Sequence, residues 1–145
     1  VLAEQYREVN PRFSADGDWF SYEATDAGRE IYVQPYPPGS GARRRISPSG
    51  GVNPVWAGIG RELFYENSGQ IWGVKIETEP ALEWETAVPL FENRWRLDTG
   101  DMNNYDVSPD GQSFVFVDLL ADSGQLNQIN IVLNWFEELK ARMGN

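Results

Sequence analysis

Acidic side chains are the groups through which this sequence could do chemistry. The stretch Ser14-Ala15-Asp16-Gly17-Asp18-Trp19 sets two carboxylates two residues apart, which would suit metal ligation, acid catalysis or simply a reverse turn. A denser group follows in the loop from Asp98 to Asp106, where Asp98, Asp101, Asn103 and Asp106 are candidate ligand-binding residues. Calcium takes such oxygen ligands, but the spacing does not fit the Asp-x-Asn/Asp-x-Asn/Asp-Gly loop. The loop is therefore read as a solvated connection, and no metal is assigned. Glycoside hydrolysis also needs two carboxylates at a defined separation. With 22 acidic residues among 145, some such pair is inevitable and carries no weight.

Other chemistries are excluded by what the chain lacks. Histidine and cysteine are both absent, which removes Ser-His-Asp and Cys-His catalysis, thiolate zinc sites and disulfides. No G-x-S-x-G elbow, G-x-G-x-x-G or phosphate-cradling G-x-x-x-x-G-K occurs, so no catalytic residue and no cofactor is assigned. A net charge of −10 opposes nucleic-acid binding, because phosphates reward Lys and Arg. The one basic run, Arg43-Arg44-Arg45, is read as a solvated strand edge. Apolar runs are too short to span a bilayer, so membrane insertion is not expected. The chain begins at Val1 rather than Met, which reads as a trimmed or partial sequence.

The elements that must hold these side chains emerge from an internal repeat. Asn10 to Tyr22 aligns without gaps on Asn53 to Tyr65 and on Asn104 to Phe116. Asn opens each copy, a bulky apolar residue stands fourth, Gly eighth, an apolar residue eleventh and an aromatic thirteenth. Each copy reads as a hairpin, since Asp-Gly supplies a turn and Gly accepts positive φ. In the second strand Phe20 and Tyr22, Leu63 and Tyr65, and Phe114 and Phe116 alternate onto one face. A third strand follows at Ile31-Val33, Ile71-Val74 and Ile129-Val132, and a fourth is legible around Arg44-Ile46 and Pro89-Phe91. The middle copy departs most, with Gly58-Ile59-Gly60 where the third has Pro109-Asp110-Gly111.

Short antiparallel strands in units of 43 to 51 residues have the period of β-propeller blades. The segments NPRFSADGDWFSY, IYVQPY and YDVSPDGQSFVF resemble the TolB-type, WD-like propeller repeat. The C-terminal INIVLNWFEELKARM resembles the end of propellers appended to bacterial kinases and related sensors. The resemblance implies an all-β fold, a binding function and a periplasmic or extracellular setting.

The expectation is thus three four-stranded antiparallel blades, half of a six-bladed ring, at about 10–47, 53–91 and 104–133. Residues 1–3 read as a strand completing another blade, and 135–143 as a short C-terminal α-helix capped at Asn134. The surplus strand at one end matches the missing strand at the other. A C2 homodimer in which N-terminal strands are exchanged would complete the ring; a fragment of a longer chain is the alternative. Arg12, Val55 and Asp106 share the third place of their repeats, on the innermost strand, where they could face a channel and join the ligand-binding candidates. Trp84 and Trp95 lie in less regular stretches and are expected at the surface. The function expected is non-catalytic binding of a protein or peptide, or scaffolding. The alternative is a carboxylate-based glycosidase-like or peptidase-associated propeller fragment.

Overall fold

The computed structural model describes residues 7–26, 28–58, 61–95, 103–119 and 126–133. Twelve strands form three antiparallel sheets, with no helix among the described residues. The first sheet runs in sequence order through β1 (Glu8–Phe13), β2 (Trp19–Ala24), β3 (Glu30–Pro35) and β4 (Arg44–Arg45). The second contains β5 (Val52–Trp56), β6 (Glu62–Asn67), β7 (Gln70–Glu77), β8 (Glu83–Trp84) and β9 (Val88–Glu92). The third contains β10 (Tyr105–Val107), β11 (Ser113–Leu119) and β12 (Leu126–Leu133).

Uniform four-stranded sheets are not what forms. The second sheet has five strands, because β7 is long enough to take two partners on its outer edge. β9 pairs with its first half, from Gln70 to Gly73, and β8 with its end, at Ile76 and Glu77. The third sheet has three strands among the described residues. The strand expected at 1–3 and the helix expected at 135–143 lie outside the described residues.

The turn that opens each hairpin is built twice from the same bonds. Ser14 Oγ donates to Asp16 Oδ1 over 2.6 Å, and the same Asp16 oxygen accepts from the Asp18 amide. Ser108 and Asp110 repeat this at 2.6 Å, with Gln112 supplying the amide. Gly17 and Gly111 take φ of 78° and 71°, which side chains with a Cβ adopt at a cost. The middle copy is constrained differently: a Cβ on Gly58 would stand 2.7 Å from Pro109 Cα, so the third sheet's turn packs directly on that backbone.

Alternation within the strands gives each sheet two apolar faces. Ile31, Val33 and Ile46 of the first sheet pack on Trp56, Leu63, Tyr65, Val74 and Ile76 of the second. The opposite face of the second sheet, with Val55, Phe64, Ile71 and Leu90, packs on Tyr105, Phe114 and Phe116 of the third. Ring pairs tighten that second junction: Phe64 and Phe114 meet edge to face at 5.0 Å, and Trp95 lies 4.8 Å from Phe116. Such pairs add about 0.5–1.5 kcal/mol each beyond their buried area. Trp95 is therefore part of the core margin rather than the exposed surface expected of it. Trp84, on the short edge strand β8, is exposed.

Candidate functional site

The inner strands β1 and β10 each adjoin β5, and Asn53, the opening Asn of the second copy, bonds to both. Asn10 and Asn53 both adopt left-handed backbone, with φ of 54° and 55°, at matching bulges against β2 and β6. Asn tolerates that conformation better than most residues. Asn10 Nδ2 donates to Asn53 Oδ1 over 3.0 Å, and the Tyr105 hydroxyl donates to the Asn53 carbonyl over 2.7 Å. Asn104 holds its own sheet instead, its Nδ2 donating to the carbonyls of Trp95 and Val117. One hydrogen-bonded line thus crosses all three inner strands.

The three residues at the third place of the repeat part company around this line. Arg12 and Asp106 are exposed, Arg12 with one Nη1 hydrogen bond to the Pro11 carbonyl and Asp106 accepting from the Val107 amide. Val55 is only 4% exposed and belongs to the core between the second and third sheets. Its role in this chain is packing. Asn103 is half-buried and accepts from the Tyr105 amide through Oδ1, which shapes the entry to β10. Asp98 and Asp101 lie outside the described residues.

Tyr105 lies at the centre of this electrostatic arrangement. Burial holds its proton well above the ordinary phenol range, the charges of Glu66 and Asp106 push the same way, and Arg12 opposes them. Two exposed charges of opposite sign therefore bear on one buried hydroxyl. Such a surface can offer a cation and an anion to the polar groups of a ligand. Among the described residues no three carboxylates converge closely enough to hold a metal ion.

Asp16 and Asp18, the pair that raised metal ligation or acid catalysis, are not brought together as ligands. Asp16 is spent on the turn, and its hydrogen bond from Ser14 keeps its pKa below 3.8. The basic run is divided as well. Arg44 and Arg45 lie exposed on β4, while Arg43 is 2.5 Å from Asp26 and stacks 4.5 Å over the Tyr32 ring.

One surface was not anticipated from the sequence. On the face of the first sheet turned away from the second, Phe20, Tyr22, Ala24 and Tyr32 form a separate apolar cluster. At its end an open cavity of about 260 Å³ is lined by Pro11, Arg12, Phe13, Phe20, Tyr36 and Pro38. Phe13 and Tyr36 meet edge to face at 5.1 Å and remain 58% and 52% exposed. The bulky fourth residue of the repeat was the available signal, but the pattern marks it as core without saying what covers it.

No family model and no curated protein matches the chain. Solved structures do. An oligogalacturonate lyase from Vibrio parahaemolyticus superposes with a TM-score of 0.54 at 16% identity, covering 89% of this chain and 36% of the lyase. A protein described as TolB from Agrobacterium tumefaciens gives a TM-score of 0.54 at 18% identity, covering 93% of this chain and 48% of that one. Both are β-propeller folds, and this chain spans less than half the length of either. The fold is therefore all-β, antiparallel and of the β-propeller kind.

Proposed function

We propose that the chain is a non-catalytic binding or scaffolding module, three blades that make half of a six-bladed TolB-like ring. The observation that carries this reading is the display of Arg12 and Asp106 on the inner strands to either side of β5, flanking a line of hydrogen bonds that runs through Asn53. Inner strands border the channel of a propeller, and ligands meet them at its mouth. A protein or peptide with paired charges is the ligand class that fits. The sequence resemblance to sensor-appended propellers supports a role as the receiving part of a larger sensor.

Peptides selected by phage display on the wild-type chain test this reading. Arg12→Glu and Asp106→Lys should each weaken binding of the selected peptides about tenfold or more, on the scale of a charge reversal at a binding site. Peptides that bind both variants as tightly as the wild type would place recognition elsewhere.

The second reading is an enzyme acting on acidic saccharides, favoured by the likeness to an oligogalacturonate lyase. Incubation with oligogalacturonate, with shorter products as the readout, separates the two. Turnover that Asp106→Asn abolishes would replace the binding module by the enzyme.

A further inference from the structure

The repeat makes the faces of the three sheets comparable place by place. Phe13 of the first sheet holds the place of Trp56 in the second, the fourth of each copy. Tyr36 holds the place of Ile76, since their amides donate to the equivalent carbonyls of Asp18 and Arg61. In the second sheet these places are closed: Trp56 is 7% exposed and Ile76 1%, both packed on Ile31 and Val33. In the first sheet the same places stand open as Phe13 and Tyr36, around the cavity.

The other end of the stack has the complementary vacancy. Ile131 pairs with Val115 in the register by which Val33 pairs with Ser21 and Gly73 with Phe64. Val33 is fully buried against the second sheet, whereas Ile131 is 63% exposed. Val115 and Val117 lie beside it on the same face by strand alternation, and both are half-buried. One end of the stack thus lacks the face that the other end lacks a partner for.

We infer that the open end of the first sheet's outward face, where Phe13 and Tyr36 stand exposed beside the buried Phe20, docks the Val115–Val117–Ile131 face of the third sheet of a second copy. The junction continues the packing already present between the first and second sheets and between the second and third. Three sheets cannot close on themselves, because propeller rings take about four to eight. Two copies give two identical junctions related by a two-fold axis and a ring of six sheets. The solved TolB-like fold, about twice the length of this chain, is consistent with that size. The inference rests on the propeller reading.

Multi-angle light scattering across a concentration series, with the 145-residue chain, tests it. The wild type is expected to form a dimer. Phe13→Asp and Ile131→Arg alter exposed positions outside the internal cores, and each should raise the dimer dissociation constant about 100-fold or more, since each charge enters an apolar junction twice. Mixing the two variants should restore the dimer, because the mixed pair keeps one junction unaltered and sets Asp against Arg in the other. A folded β-sheet monomer at all concentrations overturns the inference, as does a dimer that neither variant weakens. Masses growing beyond the dimer overturn closure by two copies. A circular dichroism spectrum lacking β-sheet would instead overturn the propeller reading itself, so the two failures are distinguishable.

Discussion

Asn10 and Asn53 occupy the same place in successive repeats, and the side chain of one donates to the side chain of the other across 3.0 Å. Both sit in left-handed backbone at a bulge, so the bond joins two points where neighbouring inner strands deviate alike. Replacement of Asn53 is then felt twice, through the lost acceptor and through the backbone. Asn53→Ala should lower stability by about 2 kcal/mol, because Ala lacks the local side-chain hydrogen bonding that eases Asn into left-handed backbone and the bond from Asn10 is lost. Asn53→Gly keeps the backbone at ease and should cost visibly less. Urea midpoints check the order, and equal losses for the two variants would remove the backbone part of the explanation.

The two Ser-x-Asp-Gly turns make a pH-dependent pair. Hydrogen bonds from Ser14 and Ser108 are the first cause that lowers Asp16 and Asp110 below 3.8. A carboxyl depressed in the folded state stabilises above its unfolded value, and the contribution is lost as pH falls below 3.8 through the folded value. Ser14→Ala and Ser108→Ala should raise the corresponding Asp pKa and lessen the acid sensitivity of stability. Carboxyl carbon NMR titration reads this directly, and unchanged titration curves would reject the assignment.

Tyrosine governs the alkaline side. Burial pushes Tyr65 up to about 12, with the Glu30 charge adding to it. A raised phenol stabilises fully below 10, its ordinary value, and that stability is lost as pH rises towards about 12. Tyr65→Phe should move the alkaline unfolding midpoint upwards, as followed by tyrosinate absorbance and circular dichroism. The Tyr65 hydroxyl is buried with no hydrogen-bond partner among the described residues, so the substitution should be nearly neutral at pH 7. Tyr105→Phe forfeits its bond to the Asn53 carbonyl and should cost about 1 kcal/mol more.

Gly58 offers a steric test without backbone strain. Its φ lies outside the left-handed region, yet a Cβ would stand 2.7 Å from Pro109 Cα and 2.8 Å from Pro109 Cβ. Gly58→Ala should destabilise by about 1–3 kcal/mol through overpacking. Thermal unfolding that matches the wild type would mean that the two turns separate freely.

The hairpin units were legible because their signals are local. Gly marks the turn, and the apolar eleventh and aromatic thirteenth places follow from strand alternation, which the chain carries within each copy. What lies on top of a strand is not local. Arg12, Val55 and Asp106 share one place, and Val55 alone is buried, because it packs with Phe64 and Phe114 between the second and third sheets. β8 escaped notice for another reason: two residues, Glu83 and Trp84, are too few to show a period. Trp95 packs against Phe116 rather than standing exposed, a contact between an irregular segment and a strand that no alternation announces.

The order of strands in the sheets bears on how the molecule is made. Among the described residues, every strand ladder joins neighbours in the chain apart from β9 reaching past β8 to β7, and no ladder joins one sheet to another. Loop closure is therefore short throughout, which favours rapid formation of each hairpin. A growing chain can lay down its first sheet before the second has been synthesised. The characteristic error of such a molecule is not a crossed strand but sheets stacked in the wrong order, since their faces are built alike.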